Sequence, residues 1–204
     1  MSEPFARVDA DDDARFYSVP RKVVHLEPGA IEALRGVYAE HFAPGGTVLD
    51  LMSSWRSHLP DGLGRVMGLG MNAEEMAANP QLDDWVIHDL NLEPHLPFPD
   101  ASFDAVACAV SVQYLVRPFD VFADVLRVLV PGGPLVVSFS NRCFPTKAVA
   151  IWLSAGDDDH RRLVRTYLER ARFLDVVDER VATRDDPLFV VRGRAAVLVP
   201  GVGT

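Results

Sequence analysis

The sequence VLDLMSSWRSHLP, residues 48–60, decides the fold. It begins with apolar residues on both sides of one acid, Asp50, and a short apolar run of this kind is typical of a buried parallel strand. The run then breaks into small polar residues around Trp55. In an open α/β sheet, the turn beyond the carboxyl end of a strand is where the ligand binds. We therefore expect residues 52–57 to form part of a ligand site.

Composition and charge narrow the class of protein. The chain has 204 residues, of which 49% are hydrophobic and 24% charged, and these proportions are typical of an ordinary soluble globular protein. This length favours one domain over two. The net charge of -9 argues against nucleic acid as a partner, because binding to a phosphate backbone depends on clustered Lys and Arg.

Targeting and metal-binding signals are not found in the sequence. The first residues, MSEPFARVDADDDAR, are acidic where a signal peptide would be basic, and no apolar run approaches the roughly 18 residues of a membrane span. We therefore predict a cytoplasmic protein with no membrane partner. The two cysteines, Cys108 and Cys143, lie far apart, and no His, Cys or acidic pair has metal-ligand spacing. We expect neither a disulfide nor a bound metal.

The N-terminal region divides into two parts. Residues 1–13 are polar and acidic, which favours a solvated tail. Residues 16–25 contain two aromatics, a proline and a histidine, so this part either packs against the body of the protein or forms a lid over a pocket, and we favour the lid. We assign residues 1–27 to this tail and possible lid, and residues 28–204 to a single domain.

Strands and helices alternate along the rest of the chain. Apolar patterns predict helices at residues 28–42, 72–78, 119–129 and 157–172, and strands at residues 47–51, 65–69, 85–88, 103–110 and 135–139. Pro60 limits any helix in residues 53–59 to about two turns. No hairpin-length loop joins these strands, so we predict a parallel sheet covered on both faces, in a doubly wound α/β fold. Two last strands, at residues 174–182 and 188–192 with a turn at 184–187, are expected to form an antiparallel edge pair.

Five segments carry a resemblance to a known family. In order between residues 48 and 139 they are VLDL, VMGLGMN, VIHDLNLEPHLPFPDASFDAV, SVQYL and VLRVLVPGGPLVVSF. Together they resemble the small-molecule branch of the class I S-adenosylmethionine-dependent methyltransferases. The resemblance implies a Rossmann-like, mostly parallel seven-stranded sheet, S-adenosylmethionine as cofactor, and methyl transfer to a small-molecule substrate in a crevice at the carboxyl ends of the first and fourth strands. It leaves open whether the protein is a monomer or a homodimer.

The turn after the first strand departs from the family pattern. Asp50 and Leu51 match the first motif, but Met52, Ser54 and Arg56 stand where the family has three glycines. Glycine lets the backbone approach the cofactor because it has no Cβ. In this chain, serine hydroxyls are expected to bind the cofactor through hydrogen bonds instead. For Asp50, a cap on the turn stays an alternative. The cofactor-binding candidates in this turn are Asp50, Met52, Ser53 and Ser54.

The second departure from the family pattern concerns the residue that binds the ribose. The family usually ends its second strand with an acid that binds both ribose hydroxyls, and Gly70 stands at that place. Asn72, two residues later, offers a hydrogen bond to a ribose. The helix N-cap, with Glu75 three residues on, is the stronger explanation of Asn72. Gly70 and Asn72 are the cofactor-binding candidates here.

The adenine and methionine positions fit the family better. The resemblance assigns Asp89 and Leu90 to the adenine, through the carboxylate and the following backbone N–H. An Asx turn with Asn91 is the alternative for Asp89. The resemblance also places Ser111, at the end of the fourth strand, beside the methionine end of the cofactor.

Candidates for catalysis and substrate binding surround this crevice. Methyl transfer requires chiefly that the nucleophile, the methyl carbon and the sulfur lie in line, and a general base helps only when the nucleophile carries a proton. For Trp55 a core position is an equal alternative, and for Arg142 an ion pair with a surface acid. The catalytic candidates are His25, His58 and Tyr114, and the substrate-binding candidates are Tyr17, Trp55, Gln113, Asn141 and Arg142.

Two functions from different classes follow. The first is a small-molecule methyltransferase that binds its cofactor through a rebuilt first turn. The second is a methyltransferase-like module that has lost methyl transfer and serves as a ligand-binding or regulatory protein. The polar crevice residues favour the first, and the missing glycines and ribose acid favour the second.

Overall fold

The computed structural model describes residues 3–181, 183 and 187–197. The α-helices in these ranges are α1 Asp13–Tyr17, α2 Pro28–His41, α3 Ala73–Ala77, α4 Pro118–Val128, α5 Ala150–Leu153 and α6 Asp157–Arg170. The strands are β1 Thr47–Ser53, β2 Arg65–Gly70, β3 Asp84–Ile87, β4 Ala105–Ala109, β5 Pro134–Phe139, β6 Leu174–Val181 and β7 Leu188–Arg194. A single turn of 3₁₀ helix, Val112–Tyr114, follows β4.

These strands form one sheet in the order β3-β2-β1-β4-β5-β7-β6. The strands β1 to β5 pair in parallel, and β7 lies antiparallel between β5 and β6. The predicted α/β fold, a mostly parallel seven-stranded sheet with an antiparallel edge pair, is confirmed. Residue 182, at the end of the predicted strand 174–182, and residues 184–186, in the predicted turn, lie outside the described residues.

The sheet is covered on both faces, and alternate residues of one strand belong to different cores. In β5, Leu135 and Val137 belong to the core that includes the buried residues of α4 and α6, while Val136 belongs to the core of α2. Successive strand residues point to opposite faces of a sheet. A strand buried on both faces therefore reads as a continuous apolar run, which is the pattern that predicted it.

The connection between β1 and β2 contains no helix. β1 runs past the predicted end at Leu51 to Ser53, and residues 54–64 are irregular. Met52 and His58 have φ angles of 59° and 57°, which a right-handed helix excludes. The serine hydroxyls of this stretch bond to carboxylates of the site rather than to local backbone. The chain therefore crosses to β2 as a loop shaped by side-chain contacts.

The N-terminal region packs on the body of the protein. The interpretation as a solvated tail does not hold for residues 5–13, because the ring of Phe5 packs edge-on against that of Phe119 at 6.0 Å. The backbone of Arg7 also forms an isolated antiparallel bridge with Val149. An acidic composition did not reveal these contacts, since the residues that receive them lie more than a hundred positions away.

Two features are absent from the described ranges. None of the helices there is long and apolar enough to cross a membrane. No three His, Cys, Asp or Glu side chains in those ranges come together as a metal ion would require.

Candidate functional site

A cleft opens at the carboxyl ends of the parallel strands, where the strand order reverses. β1 lies between β2 and β4, and ligands of open α/β sheets bind at such a switch point. The cleft contains about 1170 Å³ of empty space with its open mouth included. The predicted site residues that line it are Tyr17, His25, Asp50, Met52, Ser53, Ser54, Trp55, His58, Gly70, Asn72, Asp89, Leu90, Ser111 and Tyr114.

Three predicted substrate-binding residues lie outside this lining. Gln113 is buried behind it, and its Nε2 donates to the carbonyl oxygen of Val110 at 2.9 Å. Asn141 is exposed. Arg142 forms an ion pair with Glu27 at 2.8 Å, which is the surface pairing that the sequence left as an alternative. The structure does not bring these three side chains to the cleft.

The turn after β1 keeps a glycine-like backbone although it carries side chains. Met52, at the first glycine position of the family pattern, has a φ of 59°, in the left-handed region that glycine adopts freely. The register of β1 against β2 shifts between Leu51 and Ser53, so Met52 forms a bulge. A left-handed conformation costs a residue with a Cβ roughly 1 to 2 kcal/mol. Strain of this kind is common at functional sites.

Asp50 organises the side chains of this turn. It is only 2% exposed, and its Oδ2 accepts hydrogen bonds from the hydroxyls of Ser53 at 2.5 Å and Ser57 at 2.6 Å. Ser57 in turn accepts a hydrogen bond from Nδ2 of Asn79 at 2.8 Å. Burial raises the pKa of Asp50 to about 6, although the two hydroxyls act in the opposite direction. Asp50 therefore both holds the turn and lines the cleft.

Gly70 has no room for the acid expected at the end of the second strand. A Cβ on Gly70 would lie 2.2 Å from the carbonyl oxygen of Ser53 and 3.0 Å from Sδ of Met76. Ser53 pairs with Gly70 across the bulge in β1. The lengthened first strand thus occupies the space that a side chain at position 70 would need. The absence of an acid at position 70 therefore has a structural cause.

The helix α3 brings into the cleft a carboxylate that the sequence analysis did not assign to the site. Oδ1 of Asn72 accepts a hydrogen bond from the N–H of Glu75 at 2.9 Å, which confirms the predicted N-cap, and its Nδ2 donates to the carbonyl oxygen of Tyr17 at 2.7 Å. The carboxylate of Glu75 accepts from the hydroxyl of Ser54 at 2.5 Å and from the backbone N–H of Arg21. Glu75 lines the cleft. In the sequence, the only sign that Glu75 lies near the cleft is its position three residues after Asn72 in the capping pattern.

Residues 17–25 cover one side of the cleft, where the lid was expected. Nε1 of Trp55 donates to the carbonyl oxygen of Val23 at 3.0 Å. The guanidinium of Arg56 lies 4.4 Å from the centre of a Trp55 ring. Trp55 is half-buried and lines the cleft, so it does not fill the core.

A buried ion cluster fixes the N-terminal region beside the cleft. Asp13 binds Nη1 of Arg7 through both oxygens, at 2.8 and 2.7 Å, and Nζ of Lys147 at 3.0 Å. Nδ2 of Asn91 donates to it at 2.9 Å. Burial raises the pKa of Asp13, but the hydrogen bonds from Arg7, Asn91 and Lys147 outweigh burial and leave the pKa lowered. This cluster could not be predicted from the sequence, because neither residue spacing nor composition brings Asp13 near Lys147.

The candidate catalytic side chains keep their neutral forms near pH 7. Burial lowers the pKa of His25, whose ring packs edge-on against Phe144 at 4.9 Å. Burial and the nearby Arg56 lower the pKa of His58 to about 4, which makes it a weak base. Burial raises the pKa of Tyr114 to about 12, and its hydroxyl oxygen accepts a hydrogen bond from the N–H of Phe144 at 2.8 Å.

The adenine candidates follow β3. Oδ1 of Asp89 accepts a hydrogen bond from the N–H of Asn91 at 2.8 Å, so the Asx turn is present. Leu90 is buried at the cleft. A carboxylate accepts up to about four hydrogen bonds. The turn is therefore compatible with the contact to adenine, which stays a prediction.

The end of β4 holds a strained residue beside the cleft. Val110 has a φ of 45°, which is rare for a β-branched residue. Its N–H donates to the carbonyl oxygen of Ser138 at 2.8 Å, and its carbonyl oxygen accepts from Gln113. The hydroxyl of the next residue, Ser111, donates to the carbonyl oxygen of Ala109 at 2.9 Å. Strain persists only where the surroundings over-determine it, so this wall of the cleft is held rigidly.

Sequences of known proteins match the central part of this chain. A family model described as a methyltransferase domain matches residues 53–137, from the end of β1 into β5. The demethylmenaquinone methyltransferase of Renibacterium salmoninarum is 32% identical over 142 residues, which cover 66% of this chain and 58% of that relative. The chain spans less than two thirds of the length of the curated relatives that it matches.

Solved structures share the fold. A methyltransferase in complex with the Haloferax volcanii Trm112 methyltransferase activator has a TM-score of 0.63 at 17% identity, over 85% of this chain and 92% of that one. A SAM-dependent methyltransferase from Aquifex aeolicus has a TM-score of 0.61 at 16% identity, over 83% of this chain and 94% of that one. Likeness at these identities shows the fold. Together with the matched domain, it agrees with the resemblance to the class I S-adenosylmethionine-dependent methyltransferases, and the small-molecule branch stays a prediction.

Proposed function

We propose that this chain, which has the fold and the domain match of the class I S-adenosylmethionine-dependent methyltransferases, transfers a methyl group from S-adenosylmethionine to a small-molecule acceptor. The observation that carries the proposal is the convergence of Asp50, Asp89 and Ser111 on one cleft at the switch point. Asp50 lies in β1, Asp89 follows β3 and Ser111 follows β4, and an open parallel sheet brings such positions together at its ligand site.

The residues of the cleft fit the cofactor. S-adenosylmethionine carries a sulfonium, an ammonium and one carboxylate, so its net charge is positive. Asp50 has two serine hydroxyls as partners, and in the described part of the chain no cationic side chain pairs with it. A buried carboxylate favours a ligand that brings positive charge. Leu69, Leu90 and Leu115 add the apolar surface that an adenine ring requires.

The chain's own residues orient the reactants and exclude water. The bound cofactor supplies a methyl group that is activated by its sulfonium. Residues 17–25 and Trp55 cover the cleft, while Val110 and Ser111 form its rigid wall. Holding the reactants in line is the main source of rate for such a displacement. His25 is neutral at pH 7 and accepts a proton when the nucleophile carries one.

A small acceptor agrees with the shape of the cleft. Residues 17–25 cover it on one side, and the hydrogen bond from Trp55 to the backbone of Val23 ties this cover to the turn after β1. The Renibacterium relative is named for demethylmenaquinone, which is also a small molecule. A cytoplasmic monomer or homodimer, without nucleic acid or membrane as a partner, stays the prediction from the sequence.

Transfer of a labelled methyl group tests the proposal. The protein is incubated with S-adenosylmethionine labelled in its methyl group and a metabolite extract, and the small-molecule and macromolecular fractions are then separated. We expect label in the small-molecule fraction. We expect Asp89→Ala to reduce it about 10- to 100-fold, because a charged hydrogen bond is lost. Asp84→Ala, which alters an exposed acid of β3, is the control. Label confined to macromolecules would contradict the acceptor class.

A second candidate is a ligand-binding module that has lost methyl transfer. The observation that favours it is the turn after β1, where Met52, Ser54 and Arg56 replace glycines and the hydroxyl of Ser54 is already bonded to Glu75. Under this alternative, S-adenosylhomocysteine binds but no acceptor in the extract receives label. The same assay, combined with a binding titration, therefore separates the two functions.

A further inference from the structure

We propose that Glu75 binds the ribose hydroxyls of the cofactor, in place of the acid that the family has at the end of its second strand. This inference rests on the proposed function, because it assigns a binding role within the same cleft. The family's acid has no space at position 70, since a Cβ on Gly70 would lie 2.2 Å from the carbonyl oxygen of Ser53. A carboxylate for the ribose must therefore come from another element.

The first turn of α3 supplies such a carboxylate. Glu75 is 8% exposed and lines the cleft together with Gly70 and Asn72. Asn72 fixes the start of this helix, because its Oδ1 accepts a hydrogen bond from the N–H of Glu75 at 2.9 Å. The acid has thus moved from the end of the strand to the helix that follows it, and it faces the same cleft.

The partners of Glu75 leave its charge uncompensated. Its oxygens accept one hydrogen bond from the hydroxyl of Ser54 and one from the backbone N–H of Arg21, and both donors are neutral. No ion pair to Glu75 is formed within the described residues, whereas its neighbour Glu74 lies 4.0 Å from Lys22. Burying a charge without compensation is costly. A buried acid that faces a cleft with spare acceptor capacity indicates a ligand with donors.

The number of free acceptor positions matches a ribose. A carboxylate has about four lone-pair sites, two on each oxygen. Because Ser54 binds Oε2 and Arg21 binds Oε1, one site on each oxygen remains. Two vicinal hydroxyls present two donors at neighbouring positions, which suits one site on each oxygen. Hydrogen bonds to an ionised acceptor are about twice as strong as neutral ones.

Calorimetric titration with three ligands tests the assignment. The ligands are S-adenosylhomocysteine, 5′-methylthioadenosine, which lacks the amino-acid end, and the 2′,3′-dideoxy form of 5′-methylthioadenosine. We expect Glu75→Gln to weaken the first two by the same factor, about 10- to 100-fold, and to leave the dideoxy ligand nearly unchanged. Glu74→Gln is the matched control, because that side chain is 69% exposed on the same helix, and it is expected to change none of the three affinities.

The contrary outcomes are distinct. Equal weakening of all three ligands would show that Glu75 only supports the turn. Weaker binding of S-adenosylhomocysteine alone would assign Glu75 to the ammonium group and overturn the inference. If the unaltered protein binds no ligand, both this inference and the proposed function fail.

A measurement on the unaltered protein keeps the test independent of how the variant folds. We expect 5′-methylthioadenosine to slow amide hydrogen exchange in residues 72–77, and the dideoxy ligand at equal occupancy to protect them much less. Equal protection by both ligands would contradict the assignment.

Discussion

Replacing Asp50 by Asn tests whether burial has made this acid a source of instability. Asp50 lies in β1 with 2% of its surface exposed, and Ser53 and Ser57 donate to its Oδ2. Asparagine has nearly the same shape and keeps an oxygen that accepts from both serines. It does not ionise, so the variant removes the titration while it retains the turn.

The magnitude follows from the raised pKa of Asp50. Below pH 3.8 the acid is protonated in the folded and the unfolded protein alike. Between pH 3.8 and about 6 the folded protein keeps the proton while the unfolded chain loses it, so stability falls as pH rises. The rise in pKa from 3.8 to about 6 corresponds to about 3 kcal/mol, at about 1.4 kcal/mol per pKa unit. Above pH 6 this loss is complete.

Urea unfolding followed by tryptophan fluorescence measures this difference. The free energy of unfolding is determined at a series of pH values from 4.5 to 8 for both proteins. We expect the advantage of Asp50→Asn over the unaltered protein to grow by about 2 kcal/mol across that range, because about 1 kcal/mol of the total is already lost below pH 4.5. Asp61→Asn, whose side chain is 94% exposed, is the matched control. A difference between the two proteins that is independent of pH, or that shrinks as pH rises, would refute the reasoning.

Three other substitutions probe contacts of the site through urea unfolding at pH 7. Lys147→Met removes one of the cations that pair with Asp13 in a buried cluster, and it is expected to lower the free energy of unfolding by about 3 to 5 kcal/mol. The control Lys22→Met, at an exposed ion pair, is expected to lower it by less than about 1 kcal/mol. Equal effects of the two substitutions would contradict the burial of the cluster. The Met52→Gly variant is expected to be about 1 kcal/mol more stable than the Met52→Ala variant. Both variants lose the methionine side chain, and only glycine is unstrained at a φ of 59°. The reverse order of stability would exclude the left-handed turn. Tyr114→Phe removes the acceptor of a backbone N–H and is expected to cost about 1 to 3 kcal/mol, and an unchanged stability would show that this bond is dispensable.

The fold was predictable because its central strands are buried on both faces. Residues 105–110 and residues 134–137 are continuous in apolar residues, which is typical of strands in a covered parallel sheet. Their alternation between the two cores follows from strand geometry. The Asn72 cap was also predictable, since it depends on residues three positions apart.

Only those site residues that lie at the carboxyl ends of strands could be predicted from the sequence. Asp50, Asp89 and Ser111 follow from the rule that ligands bind at the carboxyl ends of strands. Glu75 and the cluster of Asp13 with Lys147 depend on contacts between distant segments, which composition does not encode. Arg142 was misplaced for the same reason, because Glu27, 115 positions earlier in the chain, binds it.

Titration of the unaltered protein with S-adenosylhomocysteine is the most direct test of the central claim, that the cleft beside the rebuilt turn binds this class of cofactor. We expect calorimetry to show saturable binding at one site per chain. We also expect the ligand at 100 times its dissociation constant to stabilise the fold by about 2.7 kcal/mol. The absence of heat and of any thermal shift at millimolar ligand would contradict the claim.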